Sequence, residues 1–225
     1  SLSGLEQVNP STISYLNIYN NAALAVCDVT PVCTAIANGV GANISGNVAG
    51  CASLTQVLVV CGTAQNCTDI SFSTQEQIDN FPINYGCTAI TGTLTIYYGN
   101  DITNLDGLSQ LTSIGNLTFY ENPLLSDYSG LNNVTTITGS LSITGNTATS
   151  LTSVLPSLTS VGGNFDFSGI PASSLSGFTS LSNVGAAFTM NSNPNLTSVT
   201  GFGSLASVGT SFTIAGNTNL TALPT

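Results

Sequence analysis

The chain reads as a mainly β solenoid of 23–24-residue coils with short helical caps held by disulfides. Three observations predict it. Alternating apolar pairs recur at Leu94/Ile96, Leu117/Phe119, Leu141/Ile143, Phe165/Phe167, Phe188/Met190 and Phe212/Ile214, spaced by 23 or 24 residues. A second apolar column keeps that beat at Leu108, Leu131, Leu155, Phe178 and Phe202, and a third at Ile90, Ile114, Ile137, Val161, Val184 and Val208. The cysteines all fall between Cys27 and Cys87.

Alternation over a few residues is the mark of a short strand with one buried face. A single coil cannot bury that face alone, but stacked coils bury it against each other. Gly107, Gly130, Gly177 and Gly201 precede members of the second column and read as corners. The third column opens the turn into each strand. Asn21, Asn122, Asn146, Asn193 and Asn217 each follow a strand by three residues, where a carboxamide bonds backbone groups of adjoining coils. Ile170 interrupts this series and Asn100 stands one residue late, so irregularity is expected at both.

Residues 28–86 break the beat. Thr30 as N-cap and Pro31 at the first helical position predict a short helix to Ala37, stopped by Gly39 and Gly41. Ser53–Cys61 reads as a second helix. Ser73-Thr74-Gln75-Glu76 matches a capping box, predicting a third from about Thr74 to Asn80, before Pro82. The expected organisation is 1–61, the last coils and disulfide cap of a first solenoid; 62–66, a linker; and 67–225, the N-terminal cap and coils of a second.

The six cysteines form no CxxC pair and no histidine completes a zinc site, so they read as disulfides formed in an oxidising compartment. Six cysteines allow 15 pairings. The cap reading expects Cys27–Cys51, Cys33–Cys61 and Cys67–Cys87.

Composition excludes several functions. The chain has no Lys, Arg or His and ten acids, a net charge of -10. Nothing neutralises phosphate, so nucleic acid is not an expected partner, and neither is an anionic lipid surface. No apolar run approaches the ~20 residues that span a bilayer, so no membrane insertion is expected. Ser1 lacks the charged start of a signal peptide, and both ends carry repeat-like sequence; a segment of a larger tandem-repeat protein is expected. With no His or Lys, general-base, Schiff-base and Ser/Cys–His chemistry have no residues to use. No catalytic residue is assigned, no enzyme activity is expected, and no organic cofactor is implied.

The pattern Leu-x-Ile-x-x-Asn resembles a leucine-rich repeat. The 23–24 beat with Ser-(Ile/Val)-Gly turns and Gly-Leu corners more specifically resembles the receptor L-domain type, well over 87–225 and partly over 1–27. The cap–linker–cap arrangement is similar to tandem L-domain-like repeats in large surface proteins of gliding bacteria exported by type IX secretion. That resemblance implies a secreted, surface-anchored adhesin or filament.

Candidate binding residues lie on the outward strand face and just beyond it. Thr95, Thr118 and Asp166 point outward, and Tyr97, Tyr98, Tyr120 and Glu121 gather at the strand ends. Tyrosines beside amide, hydroxyl and acid groups offer flat apolar contact with polar orientation, the chemistry of glycan or protein recognition. Calcium is the one candidate metal, at Asp101, Asp106, Glu121 and Asp127 on adjacent coils, with oxygens from Asn100 and Asn122. The expected function is an extracellular adhesin or recognition module. The alternatives are a self-associating filament or sheath subunit and an ice-binding solenoid built on the outward Thr column.

Overall fold

The computed structural model describes residues 1–62, 67–146 and 151–223. The linker expected at 62–66 falls, from Thr63 onward, outside the described residues. The first elements are β1 (Tyr15–Tyr19), α1 (Thr30–Ala37), β2 (Gly41–Ser45), α2 (Leu54–Val60), β3 (Ile70–Phe72), α3 (Gln75–Asp79), α4 (Phe81–Asn84) and β4 (Ala89–Tyr97). Strands follow: β5 (Ser113–Tyr120), β6 (Thr136–Ile137), β7 (Leu141–Thr144), β8 (Leu151–Thr152), β9 (Ser160–Val161) and β10 (Phe165–Ser168). The rest are β11 (Ser174–Ser176), β12 (Asn183–Val184), β13 (Phe188–Asn191), β14 (Ser198–Val199), β15 (Ser207–Val208) and β16 (Phe212–Ala215). The protein is mainly β, with short helices and three disulfides.

Two compact units emerge: residues 1–65 with 81–87, and residues 66–80 with 88–225. The stretch 81–87, placed by the sequence reading with the second unit, groups with the first.

In the first unit β1 and β2 pair in parallel, Leu16 beside Ala42 and Ile18 beside Ile44. The strand at 41–45 lies inside the stretch read as cap. Its signal was present: Ala42 and Ile44 alternate, and Asn47 follows Ile44 by three. The insertion of α1 lengthens the spacing and hides it. That helix begins one residue earlier than expected, with Val29 as N-cap and Thr30 already helical. Ser53 caps α2, its hydroxyl accepting from the Gln56 amide. Disulfides join Cys27 to Cys51 and Cys33 to Cys61, and Cys67 and Cys87 are disulfide-bonded as well. Gln56, nearly buried, accepts from the Gly50 and Ala52 amides and donates to Asn84 at 3.0 Å, tying α4 to α2.

The second unit is a stack of parallel pairings. Ile70 pairs with Leu94, Leu94 with Leu117, Leu117 with Leu141, Leu141 with Phe165, Phe165 with Phe188 and Phe188 with Phe212. The step shortens from 24 to 23 residues within β4, where a bulge sets Thr91 and Gly92 against Gly115 alone. The turn residues of the third column also pair in parallel, Ile114–Ile137–Val161–Val184–Val208. These two columns share one sheet, while β8, β11 and β14 form a second. β3 lies in the segment read as cap, although Ile70 and Phe72 stand one step before Leu94 and Ile96.

The strand pairs from Leu94 to Met190 are buried, as are Leu108, Leu131, Leu155 and Phe178. Toward the C-terminal end aromatic rings take over. Phe165, Phe188 and Phe212 stack at centroid separations of 4.8 Å, and Phe178 stacks on Phe202 at 5.4 Å, with the two columns meeting edge to face.

The capping box on α3 forms one residue later than Ser73–Glu76. Thr74 is the N-cap and Gln77 its partner, the Gln77 carboxamide accepting from the Thr74 amide and from Ser73 at 2.8 Å. Asp101 accounts for the shift: its carboxylate accepts from the Gln75 amide at 3.2 Å, anchoring Gln75 as the first helical residue.

Candidate functional site

The ends of β4 and β5 set the tyrosines. Strand alternation turns Leu94, Ile96, Leu117 and Phe119 inward, which leaves Tyr97 and Tyr120 as the last, outward residues of register-paired strands. The chain must then turn toward the buried Asn ladder. Tyr98 (φ 50°) and Glu121 (φ 51°) make that turn in the left-handed region. The turn swings the Tyr98 ring between its neighbours: it meets Tyr97 at 5.8 Å and Tyr120 at 5.3 Å, both edge to face. All three rings are exposed, Tyr98 by 54%.

Glu121 joins this group. Glu121 and then Tyr98, the neighbours of the Tyr120 hydroxyl, push that phenol up to about 12. Tyr98, Glu121, Asn100, Pro123 and Gly145 line a shallow hollow of about 370 Å³. An acid, an exposed amide and the Tyr98 ring converge on it.

Thr95 and Thr118 are register partners on the same face, one step inward from the tyrosines. The column continues through Ser142, Asp166, Thr189 and Thr213. Asp166 stands apart from the tyrosines, in its own groove between Ser142 and Thr189, and accepts a short hydrogen bond from Ser168. The named candidates therefore form two places: the tyrosine cluster with Thr95 and Thr118, and the Asp166 groove. Asp166 also breaks the uniform hydroxyl column that an ice-binding face requires.

The four acids considered for calcium do not converge. Asp101 serves the α3 amide. Asp127 accepts from the Ser129 amide at 2.8 Å, which holds its carboxyl below the ordinary value. Asp106 opens a one-turn helix, and Glu121 serves Tyr120. Asn122 is buried in the ladder. Among the described residues no group of three acid, His or Cys side chains is placed to hold a metal. Adjacent coils bring the acids near in sequence register, but Asp101 and Asp127 each turn to a backbone amide.

The sequence reading missed Pro123 and Gly145 as parts of the hollow. The fixed offset of the Asn ladder was the available signal: whatever flanks Asn122 and Asn146 lies beside Tyr98.

A parallel β stack with short turns, a presented strand face and no convergent catalytic groups among the described residues defines a scaffold that displays a surface. The family model of the receptor L domain matches residues 86–222, and the chain belongs to that family. Neither the curated proteins nor the solved structures yield a match. No helix among the described residues is long and apolar enough to cross a membrane.

Proposed function

We propose that the protein is a non-catalytic extracellular recognition module whose binding patch is Tyr97, Tyr98, Tyr120 and Glu121, flanked by Thr95 and Thr118. The observation that carries the reading is the interlocked, exposed tyrosine triad beside the Glu121 carboxylate. Edge-to-face contact pre-orders the rings, so little side-chain entropy is lost on binding. The receptor L-domain membership and the disulfides fit a location at the cell exterior. We read the 23- and 24-residue pairing steps as coils of one solenoid, a rigid support for such a patch.

The ligand is a glycan or protein segment on a facing surface, with a flat apolar side and hydrogen-bond donors for Glu121. It is not a polyanion, since a chain of net charge -10 without cations repels one. Adhesin activity, with export by the type IX route that the tandem-repeat resemblance implies, belongs to this proposal.

The test is the triple substitution Tyr97→Ala, Tyr98→Ala and Tyr120→Ala, screened against a glycan array and against surface-protein extracts alongside the unaltered chain. Loss of a wild-type signal in a folded variant, by circular dichroism, supports the site. Undiminished binding removes it.

A further inference from the structure

Asp166 is the one charged residue in the central outward column of the second unit. Its register partners are Ser142 on β7 and Thr189 on β13, and the column runs on through Ser71, Thr95, Thr118 and Thr213. Every other step builds the same strand with a hydroxyl, so the fold itself has no need of a carboxylate here.

Nor does this carboxylate satisfy a backbone amide. Asp69, Asp101 and Asp127 each accept from a main-chain N–H, those of Thr93, Gln75 and Ser129. Among the described residues Asp166 accepts only from the Ser168 hydroxyl, two residues along its own strand.

The flanking columns differ. Ser140 Oγ accepts from the Asn164 amide, Asn164 Oδ1 from the Ala187 amide and Asn191 Oδ1 from the Ala215 amide. Those side chains are taken up in joining one strand to the next. The hydroxyls of Ser142 and Thr189 make no hydrogen bond among the described residues, and both residues are half-buried, as is Asp166. The three border a groove of about 380 Å³ that Ala187 also lines.

Charge decides what fits this groove. A half-buried carboxylate without a counter-ion carries a desolvation cost, and the chain has no Lys, Arg or His to offset it. The cation has to come from another molecule, and a second copy of this chain has none to bring. Among cations the groove favours an ammonium. Asp166, Ser142 and Thr189 stand on three adjacent strands about 4.8 Å apart, and an ammonium has three donors that rotate to meet such acceptors. A guanidinium gains most by taking both oxygens of one carboxylate, and here the Ser168 hydroxyl already occupies Oδ1. Ala187 gives the methylene stem of a lysine an apolar rest.

We propose that Asp166, Ser142 and Thr189 form a subsite for the ammonium group of a lysine presented by a partner protein. The inference rests on reading the outward strand face as the recognition surface, and it adds a second contact to the tyrosine patch. Thr118 and Asp166 are two strands apart, about 10 Å, so one partner spans both places.

Titration of the chain with the end-blocked peptide Gly-Gly-Lys-Gly-Gly, followed by amide chemical shifts, tests this. The Ser142, Asp166 and Thr189 amides are expected to shift saturably. Norleucine in place of lysine keeps the stem, removes the ammonium and abolishes the shifts. Asp166→Asn weakens binding about tenfold or more. Asp166→Thr, which continues a hydroxyl column the fold already carries, does the same. Glu6→Gln removes the same single charge from an exposed site and changes the affinity less than about twofold. Equal losses in the Asp166 and Glu6 variants mean a general attraction to an acidic chain and overturn the subsite. So do shifts that persist with norleucine, an absence of saturable shifts, or glucosamine binding there as tightly as the lysine peptide. The triple tyrosine variant is expected to bind the peptide unchanged. Failure of the subsite therefore leaves the tyrosine patch to its own screen, and failure of the patch leaves the subsite to this one.

Discussion

Asn146 Oδ1 accepts both the main-chain amide of Asn122, at 3.0 Å, and its Nδ2, at 3.2 Å. The Asn122 carboxamide in turn accepts from the Gly99 amide at 3.1 Å and donates to the Ile96 carbonyl at 2.9 Å. One buried side chain thus satisfies backbone groups of its own and the preceding coil, which would otherwise be buried unpaired, and joins the carboxamide of the next. Asn122→Ala strands the Gly99 amide and the Ile96 carbonyl at once. The expected loss is about 3 kcal/mol of unfolding free energy, read by urea denaturation. A loss within experimental error would show that water replaces the carboxamide.

The ladder fails at Ile170. Asn146 Nδ2 is buried and has no partner among the described residues, because Ile170 stands where the next carboxamide would accept it. Ile170→Asn supplies that acceptor. A double-mutant cycle with Asn146→Ala should return a favourable coupling of about 1 kcal/mol. Zero coupling would mean that the two side chains do not meet.

Gly130 is demanded by packing and not by φ. A Cβ there would lie 1.7 Å from the Leu105 carbonyl oxygen and 2.1 Å from its carbon. Both atoms are backbone of a neighbouring turn, so neither can yield cheaply. Gly130→Ala is expected to cost about 3 kcal/mol, and Gly4→Ala, where nothing is near, to stay within about 0.5 kcal/mol. Equal effects in thermal unfolding would contradict the close approach.

Tyr128 is buried against Phe119, at 5.4 Å edge to face, and its hydroxyl has no partner among the described residues. Burial raises its pKa well above the ordinary 10. The folded state therefore holds its proton where the unfolded chain releases it. Stability from this group is complete below pH ~10 and falls as pH rises above that value. Tyr128→Phe should flatten the alkaline limb of the stability profile and add about 1 kcal/mol at neutral pH. An unchanged limb would mean that the ring ionises in place.

Glu121 stands beside the Tyr120 phenol. With that phenol pushed up to about 12, chiefly by Glu121, Glu121→Gln should bring its ionisation down toward the ordinary value near 10. Ultraviolet titration of the phenolate absorbance checks this. A titration curve unchanged by the substitution would separate Glu121 from the tyrosine cluster.

The strands from Leu94 onward were legible because burial between coils imposes a residue type at every step, and the spacing is nearly constant. The Asn positions were legible for the same reason: a buried turn needs a carboxamide at a set offset. The column of β8, β11 and β14 was not read from the sequence, and neither were β2 and β3. At β2 the helix α1 stretches the spacing, and Ala42 stands where Leu or Phe is usual. At β3 the pair Ile70/Phe72 sits beside a cysteine and a capping box, whose local signals outweighed it. The acids named for calcium do not gather in a group of three among the described residues, because proximity in register does not set where a short acid side chain points.

By itself the sequence determined the stacking of strands from Leu94 onward, its inward residues and the absence of any cation, since each is a local pattern with one physical reading. Tertiary structure decided the rest. It placed residues 81–87 with the first unit through Gln56 and Asn84, and seated the capping box on Thr74 through Asp101. It also swung Tyr98 against Tyr120 and left Gly4 facing open space. Each of these depends on which distant backbone group satisfies a donor or fills a volume, and only the packed chain brings such groups together.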